Sequence, residues 1–212
     1  MIPTDSAARA LSILRDPSHF AWYVIPLLLL VLYVYAQQVR ARQWPVVFGG
    51  LAFWCMDWIN EIWNSLLFHF TQYAPAWGAP GETAYLILIG LNVEICLMFA
   101  VMGVTSLLLL PADPRLKILG INNRLFLAVL NSLLAVGVEC WLNAIGALTW
   151  EYHYWNSGFP YLIFLIGYLP FFLVAYWVHD LPTTRQQLKV VAVLGSIVVG
   201  SLLLFGAVLG WL

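Results

Sequence analysis

The sequence predicts an all-α polytopic membrane protein, a bundle of about six transmembrane helices, and three observations carry that reading. Hydrophobic residues make up 63% of the 212 and charged ones only 9%, against about 25% charged in an ordinary soluble domain. The apolar residues fall into six runs, each supplying the roughly 20 residues needed to cross about 30 Å of hydrocarbon. Lysine and arginine sit almost wholly on alternate connections between those runs, the bias expected of a chain threaded through a bilayer.

Taken in order, residues 1–18 hold Asp5, Arg9, Arg15 and Asp16 among small and apolar residues, which predicts a short interfacial helix over Ser6–Leu14. Six spans then follow in a single domain, at 20–36, 44–70, 84–110, 124–150, 159–178 and 188–212. Arg40 and Arg42 flank the first like a stop-transfer signal, with no convincing cleavage site. Pro75, Pro80 and Gly81 punctuate the connection after the second span, and Pro111-Ala112-Asp113-Pro114 that after the third. Gly120, Asn122 and Asn123 suit a helix start before the fourth span, and Pro182 follows the fifth.

Arg40, Arg42, Arg115, Lys117, Arg124, Arg185 and Lys189 fall on one side, and Arg9 and Arg15 on the other, seven against two. Both termini, the connection 71–83 and the connection 151–158 therefore face away from the cytoplasm. Trp22, Trp44, Trp77, Trp150 and Trp155, near span ends, read as an interfacial aromatic belt. The net charge of −1, without a basic run, excludes nucleic acid as a partner, and the cysteines Cys55, Cys96 and Cys140, all in apolar runs, read as small hydrophobes.

Chemistry concentrates in Trp54–Asn64, WCMDWINEIWN. Trp54, Asp57, Trp58 and Glu61 share an arc of about 100° on a helix. A carboxylate at membrane depth costs at least about 2.5 kcal/mol to insert, so it is kept for a purpose or paired. Counting from the outer span ends, Glu61, Glu94, Glu139 and Asn143 lie within roughly 6 Å of one level at 1.5 Å per residue. Asn131, Ala135, Glu139 and Asn143 share one face of the fourth span, with Leu142 on the same arc. Asn92 and Glu94 point about 160° apart, so at most one of them faces the cavity. The expected acid–base residues are Glu61, Glu139, Asp57 and Glu94. The expected substrate contacts are Trp54, Trp58, Asn64, Asn92 and Asn143, with His69 and His153 at an outer mouth.

No P-loop, GxSxG, HExxH or Cys-x-x-Cys motif is present. Four scattered histidines cannot build a histidine-rich di-iron site or a haem pair inside the spans, so neither metal nor cofactor is expected; a three-glutamate site completed by His69 or His153 is the remaining metal alternative. Two function classes stay open. One is an intramembrane enzyme using a neutral, buried glutamic acid as general acid on a lipid-soluble, isoprenoid-type substrate. The other is a proton- or cation-coupled transporter or a subunit of a membrane complex, against which stands the lack of an inverted repeat. Besides substrate, membrane lipids are the expected partners; the oligomeric state and the particular membrane are not legible.

DWINEIWN on the second span and LILIGLNVEI on the third resemble the small integral-membrane terpene cyclases of meroterpenoid pathways, over about a third of the chain. The resemblance implies protonation-initiated cyclisation or isomerisation by acidic residues on different helices, without a cofactor. That family has seven spans where six are counted here. Its second acid near the last span has no counterpart in Leu188–Leu212, which contains no acidic residue.

Overall fold

In the computed structural model, which describes residues 2–212, the chain opens with a short helix α1 (Asp5–Ile13), whose first turn is capped by the Thr4 hydroxyl accepting from Ala7 N–H. A 3₁₀ turn at Pro17–His19 leads to α2 (Val24–Arg40) and then α3 (Trp44–Thr71). Pro45 suits the first turn of α3, where no helical N–H partner is lost, and Gln72, at φ 50°, closes it in the left-handed conformation. The strands β1 (Leu86–Leu88) and β2 (Leu91–Asn92) form a small antiparallel hairpin before α4 (Val93–Leu108). A second hairpin, β3 (Lys117–Ile118) with β4 (Ile121–Asn122), turns on Leu119 and Gly120 at φ 51° and 82°, the double positive-φ loop that suits strand twist. Next come α5 (Asn123–Ala144), a π-helical turn at Ile163–Tyr168 running into α6 (Leu169–His179), and α7 (Thr184–Ser201) with a π-helical continuation, Leu202–Val208.

α3 is the hub, packing against α4, α6 and α7, while α2 leans on α4 and α5 leans on α6. The α3–α4 crossing is close because it is built on glycine: a Cβ at Gly103 would stand 2.9 Å from the Gly50 carbonyl oxygen. Beside it Phe53 gathers Phe99, Phe171 and Phe172, with ring centroids 6.0, 5.7 and 4.9 Å away. The outward faces carry exposed leucine, valine and isoleucine, as on Leu28, Leu29 and Leu32 of α2 and Val193, Ile197 and Leu203 of the last helix. By length and apolar composition α5 and the continuous helix Thr184–Val208 are able to cross a membrane, and α2, α4 and the helix Ile163–His179 are apolar but shorter.

Two expected spans change shape. The run 84–110 is not one helix: seven of its first nine residues, Leu86–Asn92, make the β1–β2 hairpin, and α4 begins only at Val93, capped by the Asn92 side chain accepting from Ile95 N–H at 2.8 Å. Those residues are apolar because they are buried from all sides, Leu86 at 0% and Leu91 at 0% exposed, rather than because they face lipid. In a membrane protein non-helical backbone is tolerated where protein encloses it. The run 124–150 stops as α5 at Ala144, where Gly146, at φ 79°, ends it. The first and last helices lie at 24–40 and 184–208 where 20–36 and 188–212 are expected.

At one end of the bundle α1 and the connections 72–92 and 145–162 interlock. Thr4 N–H donates to the Tyr73 carbonyl at 3.0 Å, the Ser6 hydroxyl donates to Glu151, and Arg15 N–H donates to the Leu86 carbonyl at 2.9 Å. Ala7 and Ala10 turn inward, and Ala10 packs on Ala79, Leu86 and Leu148. The opposite end holds an ion pair between Arg124 and Asp180, at 2.7 and 2.9 Å, with His179 at 2.8 Å from the same carboxylate. Partial burial pushes the Asp180 carboxyl up, but the bonds from Arg124 and His179 outweigh it and hold it below the usual aspartate value. A carboxylate with a lower pKa folded than unfolded adds stability above its unfolded value, and loses it as pH falls through its folded one. Asp180→Asn is expected to cost less than about 1 kcal/mol near neutral pH, because the pair faces solvent. Melting temperatures of parent and variant should differ at neutral pH and converge as pH falls through the lowered folded-state value of Asp180.

Candidate functional site

Asp57 and Glu61, one turn apart on α3, are buried at 2% and 4% exposure, and Glu139 on α5 at 6%. All three line one small cavity of about 50 Å³ between α3, α5 and the π-helical turn before α6. That volume suits a few waters at most; a cavity of about 150 Å³ is what holds a benzene ring. The aromatic side chains Trp77, Phe99, Trp155, Tyr168 and Phe171 form part of the remaining wall, with Ile95, Met98, Leu142 and Leu148.

Glu61 and Glu139 are each held by an indole from a connecting segment. Trp77 Nε1 donates to Glu61 Oε1 at 2.8 Å, and Trp150 Nε1 donates to Glu139 Oε1 at 3.3 Å. The two tryptophans are next to residues that pair: Gly78 and Thr149 exchange both backbone hydrogen bonds, at 3.0 and 2.9 Å. The spacing of Glu61 and Glu139 is thus set by two joined connecting segments as well as by helix packing. Behind Trp77, the fully buried Asn64 amide donates to the Trp77 carbonyl at 2.7 Å and accepts from Ala76 N–H at 2.7 Å and Trp77 N–H at 3.3 Å. Gly90 closes the same corner, since a Cβ there would lie 2.4 Å from Asn64 Nδ2 and 2.7 Å from the Trp77 ring.

What these bonds leave over is the chemistry. Asp57 Oδ2, Glu61 Oε2 and Trp155 Nε1 are buried without a partner among the described residues. Among the described residues no cation pairs with Asp57, Glu61 or Glu139, so nothing there would offset the cost of three buried charges. The Tyr168 hydroxyl approaches the Glu139 carboxyl. It is brought inward by the π-helical turn, whose Ile166 carbonyl accepts from Asn60 Nδ2 at 3.1 Å.

The other expected site residues lie elsewhere. Glu94 is in the first turn of α4, because that helix starts at Val93, and its carboxylate accepts from the Tyr23 hydroxyl, the Thr83 hydroxyl at 2.5 Å and Ala84 N–H at 2.9 Å. Three carboxylates at one level in the expected set therefore become a different three, with Asp57 replacing Glu94. Asn92 is a helix cap, and Asn143 closes the end of α5 on the Leu148 carbonyl at 3.0 Å. Asn64 holds Trp77 from behind the cavity. Trp54 and Trp58 are outside its lining and pack on the α7 side, in the cluster containing Val198. His69 stacks on Trp211 with centroids 4.8 Å apart, and His153 is exposed beside Tyr154, so neither forms a mouth over the acids. Among the described residues no three His, Cys, Asp or Glu side chains are arranged to hold a metal ion, which leaves the three-glutamate alternative without support.

Trp77, Trp150 and Trp155 correct the belt reading. Trp77 and Trp155 are 8% and 2% exposed and stack at 5.2 Å. Their signal in the sequence is the company of Trp77: Ala74-Pro75-Ala76-Trp77-Gly78-Ala79 holds small residues and no charge, the composition of a segment folded inward. Tyr168 has no such signal, because it depends on a π-helical turn.

Residues 4–207 match a family described as an uncharacterized membrane protein family. An uncharacterized protein of Archaeoglobus fulgidus is 56% identical over 211 residues, covering the whole of both chains. A second uncharacterized protein from that organism is 49% identical over 53 residues, 25% of this chain and 95% of its own length. No solved structure matches.

Proposed function

The chain belongs to that membrane protein family, and from this premise we propose that it is an intramembrane acid–base enzyme acting on a lipid-soluble, isoprenoid-type substrate. The observation that carries the reading is the cavity where Asp57, Glu61 and Glu139 meet among aromatic rings, with no cation among the described residues to pair them. A neutral carboxyl donates a proton to an alkene or an epoxide at Glu61 Oε2, the oxygen that Trp77 does not occupy. The faces of Trp77, Trp155 and Tyr168 stabilise the carbocation so formed. Glu139, across the cavity and held as the one carboxylate of the three by the Trp150 indole, takes a proton from the carbocation to return an alkene, and that proton passes back to the Glu61 carboxylate through the shared cavity, so the step is a net isomerisation or cyclisation that needs no cofactor.

In the same proposal the six long helices cross the bilayer, and α1 with the connections 72–92 and 145–162 lies on the non-cytoplasmic side. The lysine and arginine bias supports this orientation. The interlocking of those three segments at one end agrees with it.

The test is product formation. Purified protein in phosphatidylcholine vesicles is incubated with a panel of polyprenyl alcohols, diphosphates and epoxides, and the extracts are read by mass spectrometry and chromatography. A product of unchanged or isomeric mass, formed by the parent and absent with Glu139→Gln, is the expected result. Proton or cation uptake by the vesicles with no product from any substrate would replace this reading with transport.

A further inference from the structure

α4 packs on α2, α3 and α6, and α5 packs on α6 and its π-helical turn, so α4 and α5 stand apart with α6 between them. The gap is a groove of about 240 Å³ on the flank of the bundle. Its rims are exposed side chains, Met98 at 42% on α4 and Leu109 at 67% just past its end, with Leu134 at 61% and Val138 at 49% on α5. Its floor is buried, with Phe172 at 1% and Tyr168 at 8%. The polar residues along it are turned back on protein. Thr105 donates to the Val101 and Met102 carbonyls, Ser106 donates to the Gly103 carbonyl, and Asn131 donates to the Tyr176 hydroxyl. What remains facing the groove is hydrocarbon until its inner end, where Met98, Glu139, Leu142 and Tyr168 also line the acidic cavity.

We infer that this groove is the binding site for the apolar tail of the substrate, reached sideways from the bilayer, with Glu139 at its inner end. The inference rests on the reading of the protein as an intramembrane enzyme. Its occupant is argued from the walls: a hydrocarbon rim exposed on a membrane protein is in contact with lipid, and the one acid it leads to belongs to the proposed reaction. The volume agrees, since about 240 Å³ exceeds the roughly 150 Å³ that accepts a benzene ring, while the acidic cavity alone is far smaller. The reacting double bond then meets the acids at the shared inner end, where the flexible Met98 and Leu142 side chains give way to admit it to the smaller cavity, while the rest of the chain stays between α4 and α5.

The experiment uses a diazirine-bearing geranylgeraniol in phosphatidylcholine vesicles containing the full chain. Adducts are expected on Met98, Leu134 and Val138, and excess unlabelled geranylgeraniol should remove them. Leu134→Trp, which narrows the rim, and Ala135→Trp, which fills the groove, should each lower that labelling by about tenfold. Val199→Trp, on the exposed face of α7, should leave it unchanged, with helicity and melting temperature monitored for all three. Adducts spread equally over α2 and α7, or insensitive to the competitor, would mean general lipid contact and overturn the site. Product formed without any groove labelling would also overturn it while leaving the enzyme reading intact. Specific labelling with no product from any substrate would uphold a lipid-tail site and sink the enzyme reading alone.

Discussion

Glu61→Gln is expected to leave the protein folded and to lower turnover by at least about a hundredfold, the usual size of a general-acid contribution. The geometry makes this a clean replacement. Trp77 Nε1 donates to Glu61 Oε1 at 2.8 Å, and a glutamine oxygen accepts the same bond. The amide nitrogen then takes the place of Oε2, which has no partner, and presents N–H groups to the cavity that Asp57 Oδ2 shares. Hydrogen bonding is kept or improved, a buried acid is removed, and only the proton to be given up is lost. A purified Gln variant with parental melting temperature and near-parental turnover would show that Glu61 is not the acid.

Asn64→Leu is expected to be the most damaging single change of similar volume. The Asn64 side chain is fully buried and joins α3 to Ala76 and Trp77 through three hydrogen bonds. Leucine leaves two backbone N–H groups and one carbonyl buried without partners, at about 1–3 kcal/mol each. For a chain of this size that lowers the melting temperature by roughly 10 °C or more. Turnover should fall further than Trp77→Phe lowers it, because the leucine variant loses the whole segment that carries the indole. Parental stability in the Asn64→Leu protein would mean that Ala76 and Trp77 are held by something other than this amide.

The limits of what the chain discloses follow from what each kind of residue reveals. Asp57 and Glu61 are legible because helical spacing fixes them to one face of α3, and Glu139 because its face also holds Asn131 and Ala135. Glu94 and Asn92 are not, since their places depend on a helix that starts at Val93 instead of within the preceding apolar residues. A run such as LILIGLNV looks the same whether lipid or protein surrounds it; only Gly90, pressed against Asn64 and Trp77, marks the difference. Trp77 and Trp150 mislead for a related reason. Indoles near helix ends suit the headgroup region of a bilayer, and which way a connecting segment folds is decided by pairings such as Gly78 with Thr149, between residues far apart in the chain.

The late start of α4 also has a consequence for the surrounding membrane. Its 16 residues make a helix roughly 24 Å long, against about 42 Å for the 28 residues of α3 and about 37 Å for the 25 residues of Thr184–Val208. With the six helices crossing the bilayer as proposed, hydrocarbon about 30 Å thick meets walls too short for it at α4, at α2 beside it and at Ile163–His179 behind the groove, the last two roughly 26 Å long. Such hydrophobic mismatch costs fractions of a kcal/mol per Å and is relieved by local thinning. On the proposed arrangement the leaflet dips beside the groove, lowering headgroups toward the level of Glu139, on the side where a tail would leave the bilayer.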